Sequence, residues 1–139
     1  MARHYKDAII IGADSIIVYE GKPLGKPKGK KEAEKMIKNY SGKEHEAISG
    51  FAVIDTRSGK VINGISRAKV KFKKLNNQEI NDYIETGEPF DKAGGYGLQN
   101  LAAVLIEEIH GDFYAVVGLP LNKLYKALKN VGLDVIKEF

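Results

Sequence analysis

"HEAISGFAVIDTRSGKVINGISRAKVKFKK", residues 45–74, decides the fold. Two β-rich runs flank "RSGK" (57–60), whose Ser-Gly is a turn signal, so the stretch predicts one long hairpin. In its second arm Ala68, Val70 and Phe72 alternate with Lys69, Lys71 and Lys73. One face of that strand therefore enters a core, and the other holds a row of ammonium groups in water.

Helices are written on either side of the hairpin. "KKEAEKMIKNYSG" (30–42) places Ala33, Met36, Ile37 and Tyr40 at i, i+3, i+4 and i+7, one apolar helical face, with Gly42 as its stop. "LNNQEINDYIETGEP" (75–89) has asparagines suited to an N-cap, an apolar set at Ile80, Tyr83 and Ile84, and Gly87 and Pro89 beyond. "PLNKLYKALKNVG" (120–132) starts on proline, sets Leu121, Leu124, Tyr125, Leu128 and Val131 on one face, and stops at Gly132. "DAIIIGADSIIVYE" (7–20) reads as a buried strand, a turn and a second extended segment, with Asp14 at or just after the strand end. Val, Ile, Phe and Tyr around "HGD" make "LAAVLIEEIHGDFYAVVGL" (101–119) a strand pair, and "DVIKEF" (134–139) a last short strand. Strands interspersed with helices imply an α/β fold, a mixed twisted sheet flanked by helices.

Composition bounds the function. The chain has 139 residues, enough for one domain, 1–139, with a real core. Apolar runs fall short of a membrane span and no secretory signal is visible, so the expectation is a soluble, cytoplasmic protein without membrane contact. Zero cysteines exclude disulfides, thiolate metal sites and cysteine nucleophiles. His4, His45 and His110 lack metal-ligand spacing. A net charge of +4 suits an anionic partner without proving one. Alternating lysines without interleaved aromatics argue for a solvated strand face, not a nucleic-acid surface.

Chemistry concentrates in two places. Asp14 follows "IIIGA", where a carboxylate can bind a divalent cation or take a proton from water, or can simply cap a turn. Beside it "GKPLGKPKGKK" (21–31) offers Lys22, Lys26 and Lys28 as mobile charges for a polyphosphate, or as a solvated loop. "GEPFDKAGGYGLQN" (87–100) holds four of the fifteen glycines around Asp91, Lys92 and Gln99. It matches neither the phosphate loop with Lys-Ser/Thr nor the dinucleotide fingerprint. What remains there is a charge pair and an amide able to read a base edge with its paired donor and acceptor.

In order and spacing, "GADSIIV", "LGKP", "YSGKEHEAISGFAV", "TGEPFDKAGGYGLQ", "IHGDFYAVVGLPL" and the closing Leu and Gly pattern resemble the Maf family of nucleotide pyrophosphatases, from about residue 8 onward. The resemblance implies a fold similar to that of inosine triphosphate pyrophosphatases. It also implies metal-dependent hydrolysis of a nucleoside triphosphate between the α and β phosphates, with Mg²⁺ or Mn²⁺. By the same resemblance Asp14 is the acid that accepts a proton from the attacking water, while a cation beside it would keep it ionised and favour metal binding, so Asp14 is base, metal ligand or both. Lys26 and Lys92 stand at positions suited to phosphate contact. Ser15 stands where the dTTP/UTP branch usually has Thr and Gln99 matches that branch's amide, both linked to base choice, which points to dTTP and UTP as substrates, with noncanonical nucleotides a family-level addition. The family's opening strand and Ser-Pro-Arg-Arg type loop are not in this sequence, so the domain is expected to be N-terminally shortened relative to the family. A non-catalytic nucleotide-binding or interaction module is the alternative function. The sheet edge a missing strand would expose makes a homodimer a candidate assembly.

Overall fold

In the computed structural model, which describes residues 2–138, the expected hairpin is the centre of the molecule. Strands β3 (Glu44–Asp55) and β4 (Val61–Phe72) pair without a break from Glu44↔Lys71 to Ile54↔Val61. Strand β1 (Ile9–Tyr19) lies along the other side of β3, the short β2 (Lys22–Leu24) hangs on the end of β1, and β5 (Ile106–Gly111) joins β4. The order is β2-β1-β3-β4-β5. All four pairings are antiparallel, so among the described residues the sheet is not mixed in strand direction, while the α/β class stands.

Among the described residues four α-helices cover one face. Helix α1 (Lys30–Tyr40) buries the four apolar residues its sequence spacing singles out, Ala33, Met36, Ile37 and Tyr40. Helix α2 (Asn77–Glu85) opens on a capping box between Asn76 and Glu79, worth about 1 kcal/mol. Both pack on Ile17, Ala47, Val70 and Phe72. Helix α3 (Phe113–Val117) is a short bridge, and α4 (Leu121–Asn130) packs Leu124, Ala127 and Leu128 on Phe51 and Val53. Leu121, on the expected apolar face of α4, is 44% exposed, because the helix turns that first residue past the sheet. Strand alternation puts all these sheet residues on the same side. The opposite side, with Ile16, Ile65, Arg67 and Lys69, carries exposed residues among the described ones. Lys69 and Lys71 sit there as expected, paired to Glu44 and Glu107, whereas Lys73 lies past the end of β4 and pairs with Glu79 of α2.

Three expectations are corrected. β1 has no turn at Gly12: the ladder to β3 runs regularly from Ile9 to Val18, so Asp14 lies in mid-strand, opposite Gly50. The long partner strand supplies a neighbour at every residue and overrides the local signal of the glycine. Residues 101–117 are not a strand pair. They form a 3-10 turn (Leu101–Leu105), then β5, then α3. Glu88 fixes the first by accepting from the Leu101 and Ala102 amides, and Gly111, at φ 116°, ends β5. Asp112 then caps α3 by accepting from the Tyr114 amide. Finally, residues 134–138 make a turn in place of a strand. Asp134 holds it by accepting from the Tyr125 hydroxyl and the Ile136 amide. Phe139 and Met1 lie outside the described residues.

Candidate active site

A row of three serines crosses the middle of the sheet. Ser15 on β1 faces Ser49 on β3, which faces Ser66 on β4. The row divides the core in two, with the tyrosine-rich cluster of α1 and α2 on one side and the cluster of α4 around Phe51 and Val53 on the other. Small hydroxyl side chains leave room there. Helix α3 crosses above them, held where the Ser49 hydroxyl donates to the Ala115 carbonyl at 2.6 Å. Gly118 follows, close enough that a Cβ on it would come within 3.5 Å of the Ser15 Oγ.

Between the serine row, α3 and the loop 92–100 lies a cavity of about 290 Å³. Ile17 and Ala47 form its floor, Val116 and Val117 one wall, and Tyr96 another. Ser15, Lys92, Gln99 and Asn100 supply its polar groups. The base faces of a nucleotide need apolar walls, its edge needs paired donors and acceptors, and its phosphates need cations, and this lining has all three.

The loop is built with care. Gly94 has φ 72°, and a Cβ there would meet Ile17 atoms at 2.6 to 2.9 Å, so only glycine lets the chain lie on β1 at this point. Its amide donates to the Gly25 carbonyl at 2.9 Å, which joins the "LGKP" loop to the "DKAGG" loop. The Tyr40 hydroxyl donates to the Gly94 carbonyl and the Tyr83 hydroxyl to the Gly95 carbonyl. Tyr96 turns inward, its hydroxyl 2.7 Å from His45 Nε2, while Tyr40 stacks on the His45 ring at 4.1 Å. Burial shapes the titration of these groups. It lowers His45 to about 4, so the ring is neutral at pH 7. The Tyr96 phenol is held well above its ordinary value by the same cause, then by Tyr40 and Tyr83, and stays protonated. His45 Nδ1 is buried without a hydrogen-bond partner, a cost of about 1–3 kcal/mol for an ordinary polar group.

The five residues singled out in the sequence are not all in one place. Ser15, Lys92 and Gln99 meet at the cavity. Lys26 does not line it but is tied to it through Asp91, whose carboxylate lies 3.4 Å from Lys26 Nζ and 3.7 Å from Lys92 Nζ. Asp14 is exposed, and strand alternation turns its side chain to the sheet face opposite Ser15. Its carboxylate accepts from the Ser15 amide at 2.8 Å. The apolar wall of Val116 and Val117 had only one sequence signal, the "VVGLPL" run, whose position over the cavity depends on Ser49 sixty-six residues away.

A metal fits here only in part. Among the described residues no group of three or more His, Asp or Glu side chains could cage an ion. An exposed carboxylate such as Asp14 suits a cation that takes most of its remaining ligands from substrate phosphates and water, which is how Mg²⁺ is commonly held. No helix among the described residues is long and apolar enough to cross a membrane.

Comparison with known proteins shows which chains this one is similar to. A dTTP/UTP pyrophosphatase of Clostridium novyi (strain NT) is 48% identical over 130 residues, 94% of this chain and 68% of the relative. One from Clostridium botulinum (strain Loch Maree / Type A3) is 48% identical over 127 residues, 91% of this chain and 66% of the relative. A dTTP/UTP pyrophosphatase of Dictyoglomus thermophilum is 43% identical over 136 residues, 98% of this chain and 70% of the relative. The chain thus spans about two thirds of the length of these relatives. The family described as Maf-like protein matches residues 1–131, and with the loop, cavity and relatives in agreement, this chain belongs to that family.

Proposed function

We propose that the protein is a nucleoside triphosphate pyrophosphatase that hydrolyses dTTP- and UTP-type nucleotides, and noncanonical ones of similar shape, to the monophosphate and pyrophosphate. The observation that carries this reading is the meeting of Ser15, Lys92 and Gln99 around one apolar-walled cavity. At about 290 Å³ it lies near the lower bound for small-molecule sites, roughly 300–1,000 Å³, so it suits base and sugar and leaves the phosphates at its mouth. The relatives named above are dTTP/UTP pyrophosphatases, which supports the same substrates.

Each side chain then has a task. The Gln99 amide offers a donor and an acceptor, which complements the imide edge of uracil or thymine, and the Ser15 hydroxyl lies across the cavity from it. Lys92 and Lys26 neutralise the phosphates, and Asp91 holds both ammonium groups near one another until the substrate takes them over. Asp14 accepts a proton from the attacking water. Because Asp14 and Ser15 project from opposite faces of β1, a triphosphate that touches both passes over the edge of that strand. Among the described residues β2 pairs only with Ile17 to Tyr19 of that strand, and β3 lies along its other side. Asp14 would hold a divalent cation, which would supply charge neutralisation on the leaving pyrophosphate. The cytoplasm, where nucleotides are made and used, is the proposed setting.

Pyrophosphate release from a panel of (d)NTPs with Mg²⁺ tests this. Release is expected to be fastest with dTTP or UTP, to stop on chelation, and to fall about 100-fold or more in Asp14→Asn while dTTP still raises the melting temperature. Wild-type release no faster than that of Asp14→Asn would remove the enzyme and leave a nucleotide-binding module.

A further inference from the structure

A buried polar pair lies under the cavity. His45 and Tyr96 are each 5% exposed, and their side chains join beneath the cavity by the 2.7 Å contact between Nε2 and the phenol oxygen. Two phenylalanines of the same outline would fill this space among Tyr40 and Phe72 without a polar atom. The chain instead keeps a histidine whose Nδ1 has no partner. Either tautomer leaves part of the pair unsatisfied, since one ring nitrogen alone faces the phenol.

The position of the pair in the loop gives it a use. In residues 94–97, "GGYG", only Tyr96 carries a side chain. The tyrosine bonds to Gly94 and Gly95 hold the loop ahead of it, and Glu88 holds it from Leu101 onward. Between those anchors the Tyr96–His45 contact is the long-range polar tie among the described residues. Lys92 stands four residues before it and Gln99 three after. Stacking on Tyr40 at 4.1 Å and contact with Phe72 at 5.5 Å hold the imidazole plane, so the hydrogen bond has one direction. A side chain locked in this way fixes the height of the loop above Ala47, the cavity floor, two residues along β3 from His45.

We propose that His45 is a positioning residue: through the Tyr96 hydroxyl it sets the loop that brings Lys92 and Gln99 to the nucleotide. This rests on the nucleotide-site reading above and adds to it a group that touches no substrate.

Tyr96→Phe removes only the hydroxyl, His45→Phe removes the ring nitrogens, and His45→Gln keeps an amide in reach of the phenol. Backbone amide exchange and steady-state kinetics with dTTP and Mg²⁺ are measured on all three. In Tyr96→Phe and His45→Phe, exchange is expected to speed up about tenfold at residues 97–100 while α1 and β3 stay protected, as loss of one hydrogen bond to an otherwise packed loop would do. KM for dTTP is expected to rise about tenfold with kcat within about twofold of wild type, and His45→Gln to recover part of both. Unchanged exchange at 97–100 overturns the proposal. So does faster exchange there with unchanged KM, or acceleration spread evenly through the core. If the wild type releases no pyrophosphate, the activity reading fails separately. dTTP affinity by calorimetry then replaces KM, with the same tenfold loss expected and an unchanged affinity counting against the proposal.

Discussion

Replacing Gly94 by alanine separates two costs that glycine avoids here. The residue sits at φ 72°, and left-handed backbone costs an L-residue about 1–2 kcal/mol. In addition the new methyl would lie 2.6 Å from Ile17 Cγ1 and 2.7 Å from its Cβ, overlap that cannot be relieved by a flexible chain end because Ile17 is branched and buried. Overpacking of one methyl group in a filled core costs about 1–3 kcal/mol. The sum is about 2–5 kcal/mol. Gly21 supplies the control. Its φ of 76° carries the same backbone cost, but its Cβ would meet nothing within 4 Å, so Gly21→Ala should lose only about 1–2 kcal/mol. Urea unfolding gives both values, and thermal melting should show the Gly94 variant lower by roughly 6–15 °C, at about 3 °C per kcal/mol for a chain of this size. Relief of the clash would lift the loop from β1 and stretch the Gly94 bonds to Gly25 and Tyr40, so KM for dTTP should rise as well. If the two alanine variants agree within about 0.5 kcal/mol, the loop does not rest on Ile17 as described and the steric account of the glycine is wrong.

Lys26→Ala should leave stability within about 0.5 kcal/mol, since its pairing with Asp91 is exposed, yet raise KM for a triphosphate about tenfold and flatten the dependence of KM on salt; equal KM values for the variant and wild type at low salt would take Lys26 out of the site. Gln99→Glu replaces an amide by a group that only accepts, so kcat/KM for UTP should fall about 10- to 100-fold, measured by pyrophosphate release, and an unchanged value would end its role as base reader. Acid should reveal His45. Burial lowers its folded pKa to about 4 against 6.5 for the free group, so between those values the unfolded chain binds more protons and stability rises with pH. The contribution is fully present above about pH 6.5 and is lost progressively as pH falls toward 4, by up to about 3 kcal/mol. Urea midpoints for the wild type should therefore drop more steeply over that window than those of His45→Gln, and parallel curves would contradict the burial of a neutral imidazole.

Where local periodicity and tertiary demand agree, the sequence can be read directly. The 45–74 hairpin and helices α1 and α2 follow from alternation, i, i+3, i+4 spacing and caps that each lie within a few residues. Helix α3 could not be read in this way, because Phe113 to Val117 has the composition of a strand. What makes it helical is a cap from Asp112, a break at Gly111 and a hydrogen bond from Ser49, and the last of these comes from the far side of the chain. The 290 Å³ cavity is hidden for the same reason. Its floor is Ile17 and Ala47, its wall Val116 and Val117, and no local pattern links them.

Asp14 shows the limit from the other direction. A carboxylate after an apolar run looks like a residue at a strand end, and strand ends are where open sheets keep ligands. In the fold the strand continues to Tyr19, and the same period of two that buries Ile17 turns Asp14 away from Ser15. Two neighbours in sequence thus serve opposite faces. For one substrate to use both, it must reach around β1, which among the described residues β2 flanks only from Ile17 to Tyr19. The residues that meet the base can then be enclosed by a packed core while the carboxylate proposed to act on water remains open to it.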